Sequence, residues 1–74
     1  MLKNFETLRQ QKKISLVDIA DTLQVRYQTV SDKINGESDF KFGEALLIKE
    51  KYFPEYNIEY LFAKEEENER IKSN

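Results

Sequence analysis

Residues 15–36 constrain the fold most, because they hold two short runs of helical apolar spacing with only a few residues between them. Apolar residues at such spacing line one face of a helix. The apolar positions of the two runs are Leu16, Ile19, Ala20 and Leu23, then Val30 and Ile34. We therefore predict one helix that ends near Leu23, an interruption at Gln24 and Val25, and a second helix over residues 27–35.

Local signals mark the outer ends of this helix pair. Ser15, followed three residues later by Asp18, forms a Ser-x-x-Asp version of the capping box and is predicted to be the N-cap of the first helix. Asn35 is followed by Gly36, which accepts the left-handed conformation that commonly ends a helix. Both helices are therefore expected to be short and sharply bounded.

Three apolar residues predict how the two helices pack. Ala20 is small and lies where the helices must approach closely, Val25 can be buried in the turn, and Val30 holds the second helix against the first. This arrangement leaves the start of the second helix projecting outward, which is the geometry needed to enter a DNA major groove.

The rest of the chain predicts three further helices, since it has only two Gly, one Pro and few strand-like alternations. They are expected over residues 2–12, 42–52 and 58–63, with Asn57 as the cap of the last one. Phe40 lies in a loop and is expected to fill the core. The predicted fold class is all-α, a compact five-helix bundle over residues 1–63, followed by a charged acidic tail or helix extension over residues 64–74.

Composition excludes several classes of site. The chain has no Cys and no His, which rules out zinc sites built from these residues and Ser-His or Cys-His nucleophiles within the chain. No recognisable carboxylate loop predicts a metal site, and we expect neither a metal nor a cofactor. No apolar run approaches the roughly 18 residues that span a bilayer. We expect a cytoplasmic protein without a membrane partner.

The charge is distributed unevenly along the chain. The net charge is −2 and the pI is about 5.1, whereas DNA-binding domains usually have a basic surface. Up to Lys49 the chain has eight basic and seven acidic residues, and from Glu50 onward it has four basic and seven acidic ones. The acidity is therefore concentrated near the C-terminus, at Glu65, Glu66, Glu67 and Glu69.

Residues 15–36 resemble the helix-turn-helix of the lambda-repressor-like, or Xre-type, family, and are similar to small phage Cro-like regulators. The likeness continues through residues 33–40 and 53–62 and covers about Asn4 to Ala63. It implies a lambda-repressor-like bundle of five helices. It also implies a transcriptional repressor that binds double-stranded DNA as a homodimer and has neither a small-molecule substrate nor enzymatic activity.

Carried over position by position, the resemblance makes the helix over residues 27–35 the recognition helix. Gln28 is expected to pair with N6 and N7 of adenine, a contact worth roughly 1–3 kcal/mol of discrimination. Asp32 is expected to accept from cytosine N4. The implied DNA-binding residues are Arg26, Tyr27, Gln28, Thr29, Ser31, Asp32 and Lys33. Further phosphate contacts are implied for Lys12 and Lys13, whose charge has the alternative role of stabilising a helix end.

Some positions depart from the family pattern. Leu16, Gln24 and Arg26 stand where the family often has Gln, Gly and Ser. If the backbone at Gln24 is left-handed, its side chain costs about 1 kcal/mol, and Arg26 leaves the recognition helix without a normal cap. Glu37 and Asp39 replace the basic residues of many relatives. We therefore expect modest phosphate affinity and a greater dependence on dimerisation.

Two other function classes remain open on this sequence. A DNA-independent protein-interaction module on the same fold is favoured by Glu37, Asp39 and the acidic tail. In that case Gln28 and its neighbours are solvated surface. An enzyme is the weaker class, because nothing in the sequence gathers two carboxylates into a cleft.

Overall fold

The structure is a computed structural model that describes residues 1–64, and this part of the chain contains five helices and no strand. The helices are α1 (Lys3–Gln11), α2 (Leu16–Leu23), α3 (Tyr27–Asn35), α4 (Phe42–Tyr52) and α5 (Ile58–Leu61). The predicted all-α class is confirmed. Within residues 1–64 no helix is long and apolar enough to cross a membrane. The predicted tail lies outside the described residues, apart from Lys64.

The helix bounds follow the sequence signals closely except at the two ends of the chain. α2, α3 and α4 have the predicted bounds, and α1 begins and ends one residue inside its predicted range. α5 ends at Leu61, two residues earlier than predicted. The reason is Phe62, whose backbone leaves the helical region at φ −107° and whose ring packs 5.4 Å from that of Phe5.

Aromatic packing forms the centre of the core. Phe5 has no exposed surface, and its ring lies 5.8 Å from Phe40, 5.7 Å from Phe53 and 5.4 Å from Phe62, measured between ring centroids. Each such pair contributes roughly 0.5–1.5 kcal/mol beyond its burial. Phe40 therefore fills the core from its loop, as the sequence predicts. The other fully buried large side chains are Ile19, Val30, Ile48, Phe53 and Leu61.

Three of the helices end in the same way, with a residue of positive φ at or just beyond the last turn. These residues are Lys13 (φ 59°), Gln24 (φ 59°) and Gly36 (φ 96°). Only the glycine adopts this conformation without steric cost. Ile14 and Val25 follow the two strained residues and pack against the core. Burial of these apolar side chains offsets the backbone strain, as the hydrophobic contact of a Schellman motif does.

Hydrogen bonds between distant parts of the chain fix where α2 and α3 lie. The Tyr52 hydroxyl, at the end of α4, donates to the Asp18 carbonyl oxygen at 3.2 Å and lies 2.8 Å from the Thr22 hydroxyl. The backbone N–H of Leu2 donates to the Ile34 carbonyl oxygen at 2.9 Å. α2 is thus held by α4, and the end of α3 by the segment before α1.

We predict that Gln24→Gly stabilises the protein by about 0.5–1 kcal/mol, because glycine removes the strain of the left-handed backbone but increases the entropy of the unfolded chain. Gln24→Ala keeps a Cβ at the same φ and is the matched control, with little expected change. Urea unfolding followed by circular dichroism measures both. Equal midpoints for the two variants would show that the left-handed conformation at Gln24 carries no strain.

Candidate nucleic-acid interface

The connection between α2 and α3 sets the direction of α3. It consists of residues 24–26, the first of which is left-handed and the last of which is extended (φ −77°, ψ 151°). The backbone N–H groups of Gln24 and Val25 donate to the carbonyl oxygens of Asp21 and Ala20, at 3.2 and 3.0 Å. These bonds satisfy the last carbonyls of α2 while the chain turns, so that α3 begins immediately after a rigid corner.

α3 has one buried face and one exposed face. Val30 and Ile34 are buried, as predicted, and they pack α3 into the core. Tyr27 and Gln28 are exposed in the first turn, and Tyr27 keeps 53% of its surface in solvent. The buried residues therefore lie in the middle and near the end of the helix, and its first two residues are exposed.

The start of α3 has no side-chain cap. Arg26 occupies the N-cap position and is exposed, and its side chain accepts no hydrogen bond from the helix. The N–H groups of the first turn therefore point outward without a side-chain acceptor. Such a helix end attracts an anion, since the helix dipole is positive there. The Arg26 guanidinium makes no hydrogen bond or ion pair within residues 1–64, so it adds a free positive charge beside these N–H groups.

Two contacts between polar side chains one turn apart lie along α3. The Gln28 side-chain amide donates to the Asp32 carboxylate at 3.0 Å. The Asn35 side-chain amide lies 3.5 Å from the Ser31 hydroxyl, at the limit of a hydrogen bond. Ser31 and Asp32 are half-buried. The exposed side of α3 and its N-cap thus hold five of the predicted residues on consecutive turns, namely Arg26, Tyr27, Gln28, Ser31 and Asp32.

Lys33 differs from this set, because its charge is already paired inside the fold. Its ammonium group lies 2.7 Å from the Glu44 carboxylate on α4 and 5.8 Å from the centre of the Phe40 ring, and only 11% of the side chain is exposed. Thr29, one turn earlier, is half-buried. A phosphate contact by Lys33 would require the ion pair with Glu44 to open. The structure therefore gives Lys33 the role of joining α3 to α4.

The two lysines at the end of α1 have different surroundings. The Lys12 ammonium donates to the Tyr52 carbonyl oxygen at 2.8 Å and lies 2.6 Å from the Glu55 carboxylate. Lys12 thus places a positive charge at the C-terminal end of a helix, which is the alternative role given above, but the helix is α4 and not α1. Lys13 is exposed and its side chain makes no hydrogen bond or ion pair within residues 1–64. Of the two, Lys13 is the one whose charge has no partner within residues 1–64.

Electrostatically, the exposed side of α3 is close to balanced. Arg26 and Asp32 have opposite charges, and the charge of Lys33 is compensated by Glu44. Glu37 and Asp39 are exposed just beyond Gly36, and the Asp39 carboxylate pairs with Lys64 at 2.7 Å. The positive charge of this surface is therefore confined to its N-terminal end.

Sequence reasoning missed two contacts that shape this surface. The Gln28–Asp32 hydrogen bond has a recognisable signal, because residues four apart are neighbours on a helix and Gln–Asp pairs at this spacing form such bonds. The Lys33–Glu44 ion pair joins two helices. No local pattern predicts it, since it depends on how α3 and α4 pack.

No family model, no curated protein and no solved structure matches this chain.

The Lys33–Glu44 pair predicts a component of acid sensitivity. Burial raises the pKa of Glu44, but hydrogen bonds from the Lys33 ammonium and the Lys41 backbone N–H lower it more, so that the pKa lies below its usual value. A lowered pKa stabilises the folded state above the ordinary glutamate pKa, and this stabilisation is lost as the pH falls through the lowered value.

We therefore expect Glu44→Gln to destabilise the protein at pH 7 by on the order of 1 kcal/mol. Below about pH 5 the stability of this variant should decrease less with falling pH than that of the unaltered chain. Glu50→Gln is the matched control on the same helix, because Glu50 is exposed and has no ion pair within residues 1–64. Thermal unfolding between pH 3 and 7 measures both. Parallel pH profiles for the two variants would contradict the prediction.

Proposed function

We propose that this chain is a sequence-specific regulator that binds double-stranded DNA through a helix-turn-helix formed by α2 and α3, with α3 as the recognition helix. The observation that carries the proposal is the exposed, uncapped start of α3, where Arg26, Tyr27 and Gln28 lie together. A helix enters the major groove with its N-terminal residues against the base edges, and the first two residues of α3 are exposed.

The side chains at this end suit the two tasks of a DNA interface. Phosphate contacts position a protein, and base contacts give its specificity. Arg26 and the free N–H groups beside it favour a phosphate, while the exposed amide of Gln28 offers a donor and an acceptor for adenine N7 and N6. Tyr27 adds a half-exposed aromatic surface that fits a thymine methyl group.

The weak positive charge of the surface favours a homodimer as the binding form. One Arg and one helix end provide few phosphate contacts, and affinity for DNA increases with the number of phosphates that are neutralised. Two chains would place two recognition helices about 34 Å apart, one turn of DNA, on a roughly palindromic site. We propose that the chain acts in this form as a transcriptional repressor of the lambda-repressor-like type, in the cytoplasm.

Selection from random duplex DNA at low salt tests the proposal directly, and we expect one enriched, roughly palindromic motif. Binding of that motif is then measured by fluorescence anisotropy at several salt concentrations. The slope of log K against log salt should be about −0.9 for each phosphate contact. The absence of any enriched motif would refute the proposal.

Two substitutions on α3 are expected to have different effects. Gln28→Ala should reduce discrimination at one base pair of each half-site by roughly 5- to 100-fold, because the bidentate contact is lost. Arg26→Ala should weaken binding to all sequences and reduce the salt slope by about one phosphate contact. Gln11→Ala and Lys3→Ala, at exposed positions of α1, are the matched controls. Equal effects of the α1 and α3 variants would place the DNA contact elsewhere.

A second candidate function, a DNA-independent interaction module, is favoured by one observation. Phe42, at the start of α4, keeps 72% of its surface exposed, although the other aromatic rings near it are packed. In this case the chain would form a protein complex that Phe42→Ser disrupts and Arg26→Ala does not, and its stability would be unaffected by added DNA. Pull-downs of the chain and its two variants, with and without added duplex DNA, detect such a complex and show whether it depends on DNA.

A further inference from the structure

Gln28 and Asp32 form a hydrogen-bonded pair on the exposed side of α3. The Nε2 atom of Gln28 donates to Oδ1 of Asp32 at 3.0 Å, and the residues are one helical turn apart. The Asp32 carboxylate makes no other hydrogen bond and no ion pair within residues 1–64. Gln28 is therefore its single partner in the described part of the chain.

This pairing determines which way the Gln28 amide faces. An ionised carboxylate can only accept hydrogen bonds, so the NH₂ group of the amide must point towards Asp32. The carbonyl oxygen then points to the opposite side, and one N–H remains free. A neutral partner such as asparagine would not fix the orientation, because two amides can pair with either end of each other.

We propose that Asp32 is a positioning residue that makes Gln28 selective for adenine over guanine. The inference rests on the proposed function of α3. Adenine presents an acceptor at N7 and a donor at N6, which match the free N–H and the carbonyl oxygen of the fixed amide. Guanine presents acceptors at both N7 and O6, so the carbonyl oxygen of Gln28 would face O6 without a proton between them.

The charge of Asp32 supports this role. A carboxylate on a DNA-facing surface repels phosphates, and no cation within residues 1–64 pairs with it. This repulsion of phosphates lowers the affinity for DNA of any sequence. Asp32 therefore does not contribute to affinity, but its hydrogen bond with Gln28 contributes to specificity. Its negative charge also repels the electronegative edge of guanine, which further favours adenine.

The test compares Asp32→Asn with Asp21→Asn. Both variants lose one negative charge, and Asp21 is an exposed carboxylate on α2 whose side chain accepts no hydrogen bond within residues 1–64. Binding is measured for the selected duplex and for variants of the base pair at which Gln28→Ala loses discrimination. We expect the unaltered chain to prefer adenine over guanine there by roughly 5- to 100-fold.

Asp32→Asn should reduce this adenine-to-guanine ratio by about fivefold or more and should strengthen binding to all sequences. Asp21→Asn should leave the ratio unchanged. Asp32→Glu retains a carboxylate four residues from Gln28 and should restore most of the ratio. In the free protein, the side-chain amide resonances of Gln28 should shift in Asp32→Asn and remain in place in Asp21→Asn.

Three results would overturn the inference. An unchanged ratio in Asp32→Asn would show that the carboxylate does not position Gln28. A change at a neighbouring base pair alone would show that Asp32 reads a base itself. Gln28 resonances that are insensitive to Asp32→Asn would show that the hydrogen bond does not form in solution. Failure of the proposed function gives a different result, because the unaltered chain then selects no motif. The inference about Asp32 falls with it.

Discussion

Phe5 lies without exposed surface among Phe40, Phe53 and Phe62, whose rings come from a loop and from the ends of two helices. A core of this size has few large side chains, so one ring that contacts three others determines where each of those segments lies. The end of α4 is fixed in this way, and through Tyr52 it also holds α2. The position of the α2–α3 corner therefore depends on aromatic packing to which neither of these helices contributes a ring.

The connection between α2 and α3, residues 24–26, places a strained backbone conformation beside a partly buried apolar side chain. Gln24 adopts a left-handed conformation that a side chain disfavours, and Val25, next to it, packs against the core. The same combination occurs at Lys13 and Ile14 after α1. In both places a residue of positive φ turns the chain directly before the apolar residue that packs against the core. Tertiary burial thus selects a backbone conformation that local preference opposes, at two positions where glycine would be the simpler choice.

These cases show which parts of the structure could be predicted from the sequence. The start of α2 and the stop after α3 follow from Ser15, Asp18 and Gly36, because caps act through neighbouring backbone groups. The inward positions of Val30 and Ile34 follow from helical spacing. The partners of Lys12 and Lys33 could not be predicted, since Glu55 and Glu44 reach them only through the packing of α4. As a result, two lysines expected at a phosphate surface are engaged within the fold.

The pairing of these lysines with carboxylates changes what kind of interface α3 can form. With Lys33 paired and Asp32 opposing Arg26, charge alone gives little attraction to DNA beyond the start of the helix. Affinity that comes from phosphates is independent of sequence, so a surface with few such contacts binds non-specific DNA weakly. In the proposed complex the binding energy would then come mainly from base contacts and from the second chain of a dimer. If α3 binds DNA as proposed, a carboxylate that orients Gln28 would cost some affinity at all sites and would increase the difference between the correct site and the others.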